Sequence, residues 1–171
     1  QIYEHAEFRM GNVGKMPLFV DVYALPGSPN AELARRIRLS ECDGYLFTTD
    51  KRARTLANCK TTFRELREYM AERGRTIEDA SVLALLTRKP GSARESDSNR
   101  VEAYLSKHLG EERLMSLTLD SGEKAIEAIK KCTAQVLSKE RDALEARRSG
   151  APPPRLTLPE DLAEDVELGH H

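Results

Sequence analysis

The chain opens with two strand-like stretches. In the second, Leu18, Val20, Val22 and Ala24 alternate with Phe19, Asp21, Tyr23 and Leu25. They cover residues 3–10 and 18–25, and the segment 11–15 between them contains two glycines that tolerate the positive φ of a turn. These features predict a β-hairpin. The run Pro-Gly-Ser-Pro-Asn at 26–30 ends it, and Asn30 is expected to cap a helix that includes Leu33 and Ile37.

Short apolar runs then alternate with helical periodicity. Strands are predicted at 45–47, 81–86 and 114–119, with helices between them and a long helix from about residue 122. The first of these helices has apolar residues every three or four positions, at Leu56, Cys59, Phe63, Leu66 and Met70. In the last helix the inward stripe is predicted to be Ile126, Ile129, Cys132, Thr133, Val136 and Leu137.

The resulting order, β-β-α-β-α-β-α-β-α, defines the expected fold class. It is an α/β fold with a mainly parallel, doubly wound sheet, helices on both faces and an antiparallel edge formed by the hairpin. Residues 1–148 are predicted to form this domain. Residues 149–171 are interpreted as a Pro-rich linker and an acidic C-terminal tail, because Pro152, Pro153 and Pro154 cannot continue a helix. The tail is expected either to be disordered or to be a short amphipathic docking segment.

Composition narrows the classes of partner. The 27 Lys and Arg residues nearly balance the 28 Asp and Glu residues, for a net charge of -1, so nucleic acid is not expected to bind. No apolar run approaches the ~18 residues of a membrane-spanning helix. The three widely spaced cysteines, Cys42, Cys59 and Cys132, favour buried free thiols over metal ligands, which suggests a cytoplasmic location. Gln1 in place of Met and the terminal His170-His171 suggest that both ends are truncated or artificial.

The loops after the strands determine function in doubly wound sheets, and here they occupy 24–30, 48–51, 87–92 and 120–122. The motifs concerned are Met10-Gly11-Asn12-Val13 at the hairpin bend, Tyr23-Ala24-Leu25-Pro26-Gly27 and Asp43-Gly44-Tyr45-Leu46-Phe47. In order and spacing they resemble Ras-like small GTPases, most closely the MglA-type bacterial gliding-motility GTPases. The resemblance implies a Ras-like P-loop NTPase fold, with residues 25–30 as switch II and the hairpin beside switch I.

The departures from that family concern the nucleotide chemistry. The sequence has no G-x-x-x-x-G-K-[ST] motif, so the first strand and the P-loop are absent. The base-reading Asn-Lys-x-Asp loop is replaced by Thr87-Arg88-Lys89-Pro90, which has no carboxylate, and Ser28 stands where a Gln would orient water. No catalytic or metal-binding residue is predicted. If nucleotide binding is retained, the resemblance places it at Pro26, Gly27, Ser28, Thr87, Arg88, Lys89, Ser121 and Gly122.

Two explanations account for the missing first strand and P-loop. In the first, a P-loop lies upstream of Gln1, and only then would GTP or GDP and Mg²⁺ be cofactors. In the second, the chain is a pseudo-GTPase whose hairpin pairs directly with the strand at 43–49, which would give a reduced five-stranded sheet. Without an upstream P-loop, no cofactor is expected.

Three functional hypotheses follow from these features. The first is a nucleotide-independent protein-binding module whose partner, by resemblance, is a roadblock-type regulator or a component of a polarity or motility system. Its partner-binding residues are expected to be Met10, Asn12, Val13, Leu25, Asn30, Leu33 and Arg36. The second is a GTP-binding switch. The third is a receiver-like phosphoacceptor domain built on Asp21, Thr48 and Lys89.

Overall fold

The structure, a computed structural model, describes residues 3–27, 29–51, 55–88, 99–118 and 122–149. Its strands and helices follow the predicted order. The strands are β1 (Glu4–Val13), β2 (Met16–Ala24), β3 (Gly44–Asp50), β4 (Ser81–Arg88) and β5 (Leu114–Thr118). The α-helices are α1 (Glu32–Glu41), α2 (Leu56–Ala71), α3 (Asn99–Leu109) and α4 (Glu123–Arg148). The linker and tail from residue 150 onward lie outside the described residues, and so does Ser28.

The first two strands form the predicted hairpin, although its bend is tighter than expected. They pair from Glu4 opposite Ala24 to Val13 opposite Met16, so the motif 10–13 belongs to β1 rather than to the bend. The register shifts between Arg9 and Gly11, where a β-bulge requires the φ of 112° that glycine adopts without strain.

The other three strands form a parallel sheet in the order β3-β4-β5. Gly44 pairs with Ser81 at one end and Asp50 with Thr87 at the other. Among the described strands, the hairpin forms its own two-stranded sheet and does not pair with β3. The prediction that the hairpin would add an edge to this sheet, or close it into five strands, was therefore wrong. Alternation within a strand defines which face is buried but says nothing about which strand lies next to it.

One face of the parallel sheet packs against α2 and α3. Phe63 in α2 and Leu105 in α3 are fully buried against Val82 and Ala84 of β4. Phe63 also meets Phe47 of β3 edge-to-face, with ring centroids 5.3 Å apart. The predicted inward face of α2 is confirmed, and Leu56, the first residue of the helix, is partly buried.

The opposite face packs against α4, so the sheet has helices on both faces as predicted. Cys132 lies 3.6 Å from the carbonyl of Ser81, and a Cβ on Gly44 would meet the Cys132 sulfur at 2.7 Å. The predicted inward stripe of α4 is wrong in part, because Ile126 and Leu137 are exposed. The apolar arc of this helix is wider than the strip of sheet that covers it.

The first helix, α1, packs against α2 and follows a 3₁₀ turn at Pro29–Ala31. Asn30 lies within that turn, and the N-cap position is Ala31, which makes no side-chain capping bond. The expectation that Asn30 caps this helix was therefore wrong, because the chain enters α1 through a helical turn rather than from an extended residue.

Candidate functional site

The carboxyl ends of the parallel strands are tied together by hydrogen bonds. The buried Thr87 hydroxyl donates to the carbonyl of Thr49 at 3.1 Å, and the Lys51 N–H donates to the carbonyl of Thr87 at 3.3 Å. Thr87 therefore joins β3 to β4. Of the candidate nucleotide-binding residues, Ser28, Lys89 and Ser121 lie outside the described part, as does the side chain of Arg88.

A salt bridge at the same end of the sheet was not predicted. Lys51, which is mostly buried, lies 2.9 Å from the Glu102 carboxylate of α3. The Thr55 hydroxyl donates to the carbonyl of Asp50 at 2.7 Å. The salt bridge joins Lys51 to the start of α3, and the Thr55 hydrogen bond joins the residue before α2 to the end of β3. The residues are far apart in the sequence, so no local pattern could have revealed the pair.

The Pro26 loop is held by Arg35, a second residue that the sequence did not reveal. Arg35 is buried, and its guanidinium donates to the carbonyl of Pro26 at 3.0 Å and to the Glu65 carboxylate of α2 at 3.3 Å. Pro26 and Gly27 are themselves exposed. One buried cation thus joins this loop, α1 and α2.

Two surfaces expose large apolar side chains. On α1, Leu33 is 71% exposed and Ile37, one helical turn later, is 51% exposed. On the hairpin, Val13, Met16 and Phe19 are exposed. Ile37, Met16 and Phe19 were not among the predicted partner-binding residues, although their apolar character was visible in the sequence. Periodicity in a sequence indicates that apolar residues are buried, so it does not distinguish these exposed side chains from core residues.

The predicted partner-binding residues divide between these surfaces. Asn12, Val13, Asn30 and Leu33 are exposed, whereas Met10 and Leu25 are partly buried. Arg36 is exposed and its Nε donates at 3.1 Å to Glu72, the residue after α2, so this guanidinium already has a partner within the chain.

The hairpin meets α1 through aromatic rings. The guanidinium of Arg38 lies 4.7 Å from the ring centroid of Tyr3 and 5.0 Å from that of Tyr23. It also donates to the Tyr3 hydroxyl at 2.6 Å, a hydrogen bond that raises the pKa of Arg38. Next to Tyr23, the His5 ring is stacked at 4.6 Å and its Nε2 lies 2.7 Å from the Asp21 carboxylate.

The position of Asp21 bears on the receiver-like hypothesis. That hypothesis needs Asp21 near Thr48 and Lys89 at one end of a sheet. In the structure Asp21 belongs to the hairpin, whereas Thr48 belongs to the separate parallel sheet, and Lys89 is outside the described residues. The described residues do not bring Asp21 and Thr48 into one sheet.

None of the described strands pairs with one edge of β3, the open edge. The Lys51 amide and the Thr49 carbonyl point toward β4, and successive residues of a strand direct their backbone groups to opposite sides. The N–H and C=O of Leu46 and Thr48 therefore point away from β4. Within the described chain no strand pairs with this edge.

The remaining predictions concern free thiols, metal ligands and membrane-spanning helices. Cys59 and Cys132 are buried free thiols as predicted, while Cys42 is only partly buried, and burial raises the pKa of all three. The described residues contain no cluster of His, Cys, Asp or Glu able to hold a metal ion. In the same part of the chain, no helix is long and apolar enough to cross a membrane.

No protein-family model matches this chain, and no curated protein is significantly similar to it.

Proposed function

We propose that the protein is a nucleotide-independent protein-binding module on a degenerate MglA-like small-GTPase fold. The observation that carries this proposal is the exposed apolar pair Leu33 and Ile37 on α1, next to the loop that the resemblance equates with switch II. Exposed apolar side chains grouped in this way favour association with another protein. By resemblance, the partner is a roadblock-type regulator or a component of a polarity or motility system.

The strand ends support the nucleotide-independent part of the proposal. Thr87 stands where the family has the Asn of its base-reading loop, and its hydroxyl is engaged with the Thr49 carbonyl. The same loop has Pro90 in place of the carboxylate that would accept the hydrogens of guanine. Losing a hydrogen-bond partner for a buried polar base edge costs about 1–3 kcal/mol, so selection for guanine would be weak.

A nucleotide titration tests this part of the proposal. The full chain would be titrated with fluorescent GDP and GTP in the presence of Mg²⁺, and we expect no saturable binding up to about 100 μM, which corresponds to less than about 5.5 kcal/mol. Micromolar or tighter binding of either nucleotide refutes it.

The partner surface is tested with a purified roadblock-type regulator. Leu33→Asp should weaken binding at least tenfold, because burying a leucine side chain contributes about 1.5–3 kcal/mol. Leu144→Asp is the matched control, since Leu144 is a similarly exposed leucine on α4. Equal effects of the two variants, or no binding by the unchanged protein, count against the proposed surface.

A GTP-binding switch is the second candidate, and the open edge of β3 favours it. A strand leading into a P-loop could pair with the outward groups of Leu46 and Thr48, if a segment outside residues 1–171 supplied it. A longer reading frame that encodes a Gly-rich phosphate loop before Gln1 would then bind GTP when expressed. A reading frame without such a motif eliminates this candidate.

A further inference from the structure

We propose that the solvent-facing side of α4 is a docking site for an acidic amphipathic helix of another protein. On this side large apolar side chains alternate with cations along the helix. This outer stripe consists of Ile126, Lys130, Leu137, Arg141, Leu144 and Arg148. The proposal is independent of nucleotide binding, of the surface on α1 and of the open edge of β3.

The side of α4 that meets the sheet is defined by its buried residues. Ala128 is fully buried, and Cys132 is 7% exposed with its sulfur against Gly44 of β3. Successive residues are spaced by about 100° around a helix. The three apolar residues of the outer stripe therefore lie about 120–180° away from Ala128 and Cys132. They face away from the parallel sheet, so the sheet does not cover them.

The outer stripe is exposed and positively charged. Ile126 is 44% exposed, Leu137 is 37% exposed and Leu144 is 51% exposed. The three cations of the stripe are exposed too, and they share an arc of about 60° with the apolar residues. Among the described residues of α4, Glu123 at the start of the helix is the only carboxylate in that arc. The stripe therefore combines apolar contact area with three positive charges and one negative charge.

Ion pairs within the helix leave most of this charge available. Arg141 lies 3.2 Å from Asp142 and 4.0 Å from Glu145, but these side chains are 62–69% exposed. Surface pairs of this kind are weak because water and salt screen them. The guanidinium of Arg141 can therefore still bind a carboxylate that a partner brings.

The end of α4 extends beyond the contacts that hold the helix to the sheet. Among the described residues, Lys139 is the last of α4 whose side chain hydrogen bonds outside the helix, to the carbonyls of Glu78 and Ala80. Residues 140–149 are all exposed. Short helices are marginal in water, and most helical stability in proteins comes from packing of one face. A partner along the outer stripe would supply that packing to Leu144.

The shape of the stripe favours a helix as the occupant. Its apolar residues lie within about 20° of one another, which matches the narrow seam of a helix packed on a helix. A helix that lies on a membrane needs a broader apolar face. From Ile126 to Leu144 the stripe is about 27 Å long, the length of about 18 helical residues. Cations beside such a seam select a partner with carboxylates at the facing positions.

Two synthetic peptides of about 20 residues test the proposal. Both have leucine at the heptad positions a and d. One has glutamate at the flanking positions e and g, and the other has lysine there. Binding of each labelled peptide to the full chain would be measured by fluorescence anisotropy. The glutamate peptide should bind with a Kd below about 100 μM, and the lysine peptide should bind at least about tenfold more weakly because like charges then face each other.

Apolar variants assign the binding to this face of α4. Ile126→Asp/Leu144→Asp should weaken binding of the glutamate peptide at least about tenfold, because both side chains would lose their apolar contact. The matched control is Leu33→Asp/Ile37→Asp on α1, which should leave this binding unchanged. Circular dichroism of each variant reports whether the fold is intact. If the α4 variant does not fold, the charge variants decide.

Charge variants test the chemistry of the partner. Lys130→Glu/Arg141→Glu/Arg148→Glu should reverse the preference, so that the lysine peptide binds more tightly than the glutamate peptide. The three side chains are exposed, so the fold should tolerate the change. The matched control changes three exposed cations outside the stripe and should leave the preference for the glutamate peptide as it is: Arg73→Glu/Lys107→Glu/Lys124→Glu.

Four results would overturn the proposal. They are the absence of saturable binding of the glutamate peptide up to about 100 μM, equal binding of the two peptides, equal losses in the α4 and α1 variants, and an unchanged preference after charge reversal. Binding to phosphatidylserine vesicles that is lost in the Ile126→Asp/Leu144→Asp variant assigns the stripe to a membrane surface and rejects the proposal. Self-association in sedimentation velocity that the same variant abolishes assigns the stripe to a second copy and also rejects it.

Discussion

Arg35 offers the sharpest test of how this fold is held together. We expect Arg35→Ala to destabilise the protein by about 3 kcal/mol, because a hydrogen bond to a charged group contributes about 1.5–3 kcal/mol and the guanidinium makes one to Glu65 besides its bond to Pro26. The side chain of Arg35 is only 9% exposed, whereas that of Glu65 is 31% exposed. Water therefore compensates part of the loss at Glu65, and the estimate lies at the lower end of the 3–5 kcal/mol typical of breaking a buried pair.

Arg36 is the matched control, because it is the next residue on the same helix and also pairs with a glutamate, Glu72, which directly follows α2. Arg36 and Glu72 are 53% and 47% exposed, and such surface pairs contribute about 0–1 kcal/mol. Urea unfolding of Arg35→Ala and Arg36→Ala, followed by circular dichroism, gives the two changes in unfolding free energy. A double-mutant cycle of Arg35→Ala with Glu65→Ala separates the pair from the bond to Pro26. Equal losses for the two arginines would refute the argument from burial.

Two further predictions concern side-chain packing on the two faces of the parallel sheet. Gly44→Ala should destabilise the protein by about 1–3 kcal/mol, because the added Cβ would meet the Cys132 sulfur at 2.7 Å and Val136 at 3.0 Å. Gly27→Ala, where an added Cβ meets nothing within 4 Å, should be close to neutral in the same urea assay, and equal effects would contradict the packing. Burial raises the thiol pKa values of Cys59 and Cys132. Their contribution to stability is therefore complete below about pH 9. It is lost as the pH rises further, because the thiols of the unfolded chain lose their protons first. Between pH 8 and pH 10 the unfolding free energy should therefore fall more in the unchanged protein than in Cys59→Ala/Cys132→Ala, and an identical fall would be inconsistent with the raised values.

The sequence predicted each element because hydrophobic periodicity reports which face of an element is buried. It succeeded for α2, whose spacing from Cys59 to Met70 matches the core face. It failed for part of α4, where Ile126 and Leu137 look the same in a pattern whether or not a strand covers them. The separation of the hairpin from β3 was equally hidden, because strand pairing between distant segments depends on contacts that alternation does not encode.

The candidate site was less accessible to sequence reasoning than the fold. Leu33 was among the predicted partner-binding residues. Ile37, one helical turn later, was predicted only as part of the same helix. Arg35 and Lys51 were missed because a charged residue in a helix or loop is assigned to solvent by default. Each is buried only because a partner distant in sequence, Glu65 or Glu102, lies within hydrogen-bonding distance. Such pairs become visible only once the chain is folded.

The edge of β3 with which no described strand pairs also bears on how the protein behaves at high concentration. Residues 44–49 carry no charged side chain, and the outward backbone groups of Leu46 and Thr48 can be satisfied by any extended chain. Strands of this kind associate edge to edge and are a common start of aggregation. A segment that pairs with this edge of β3 would also prevent self-association there. Occupation of the edge and solubility are therefore physically coupled in this molecule.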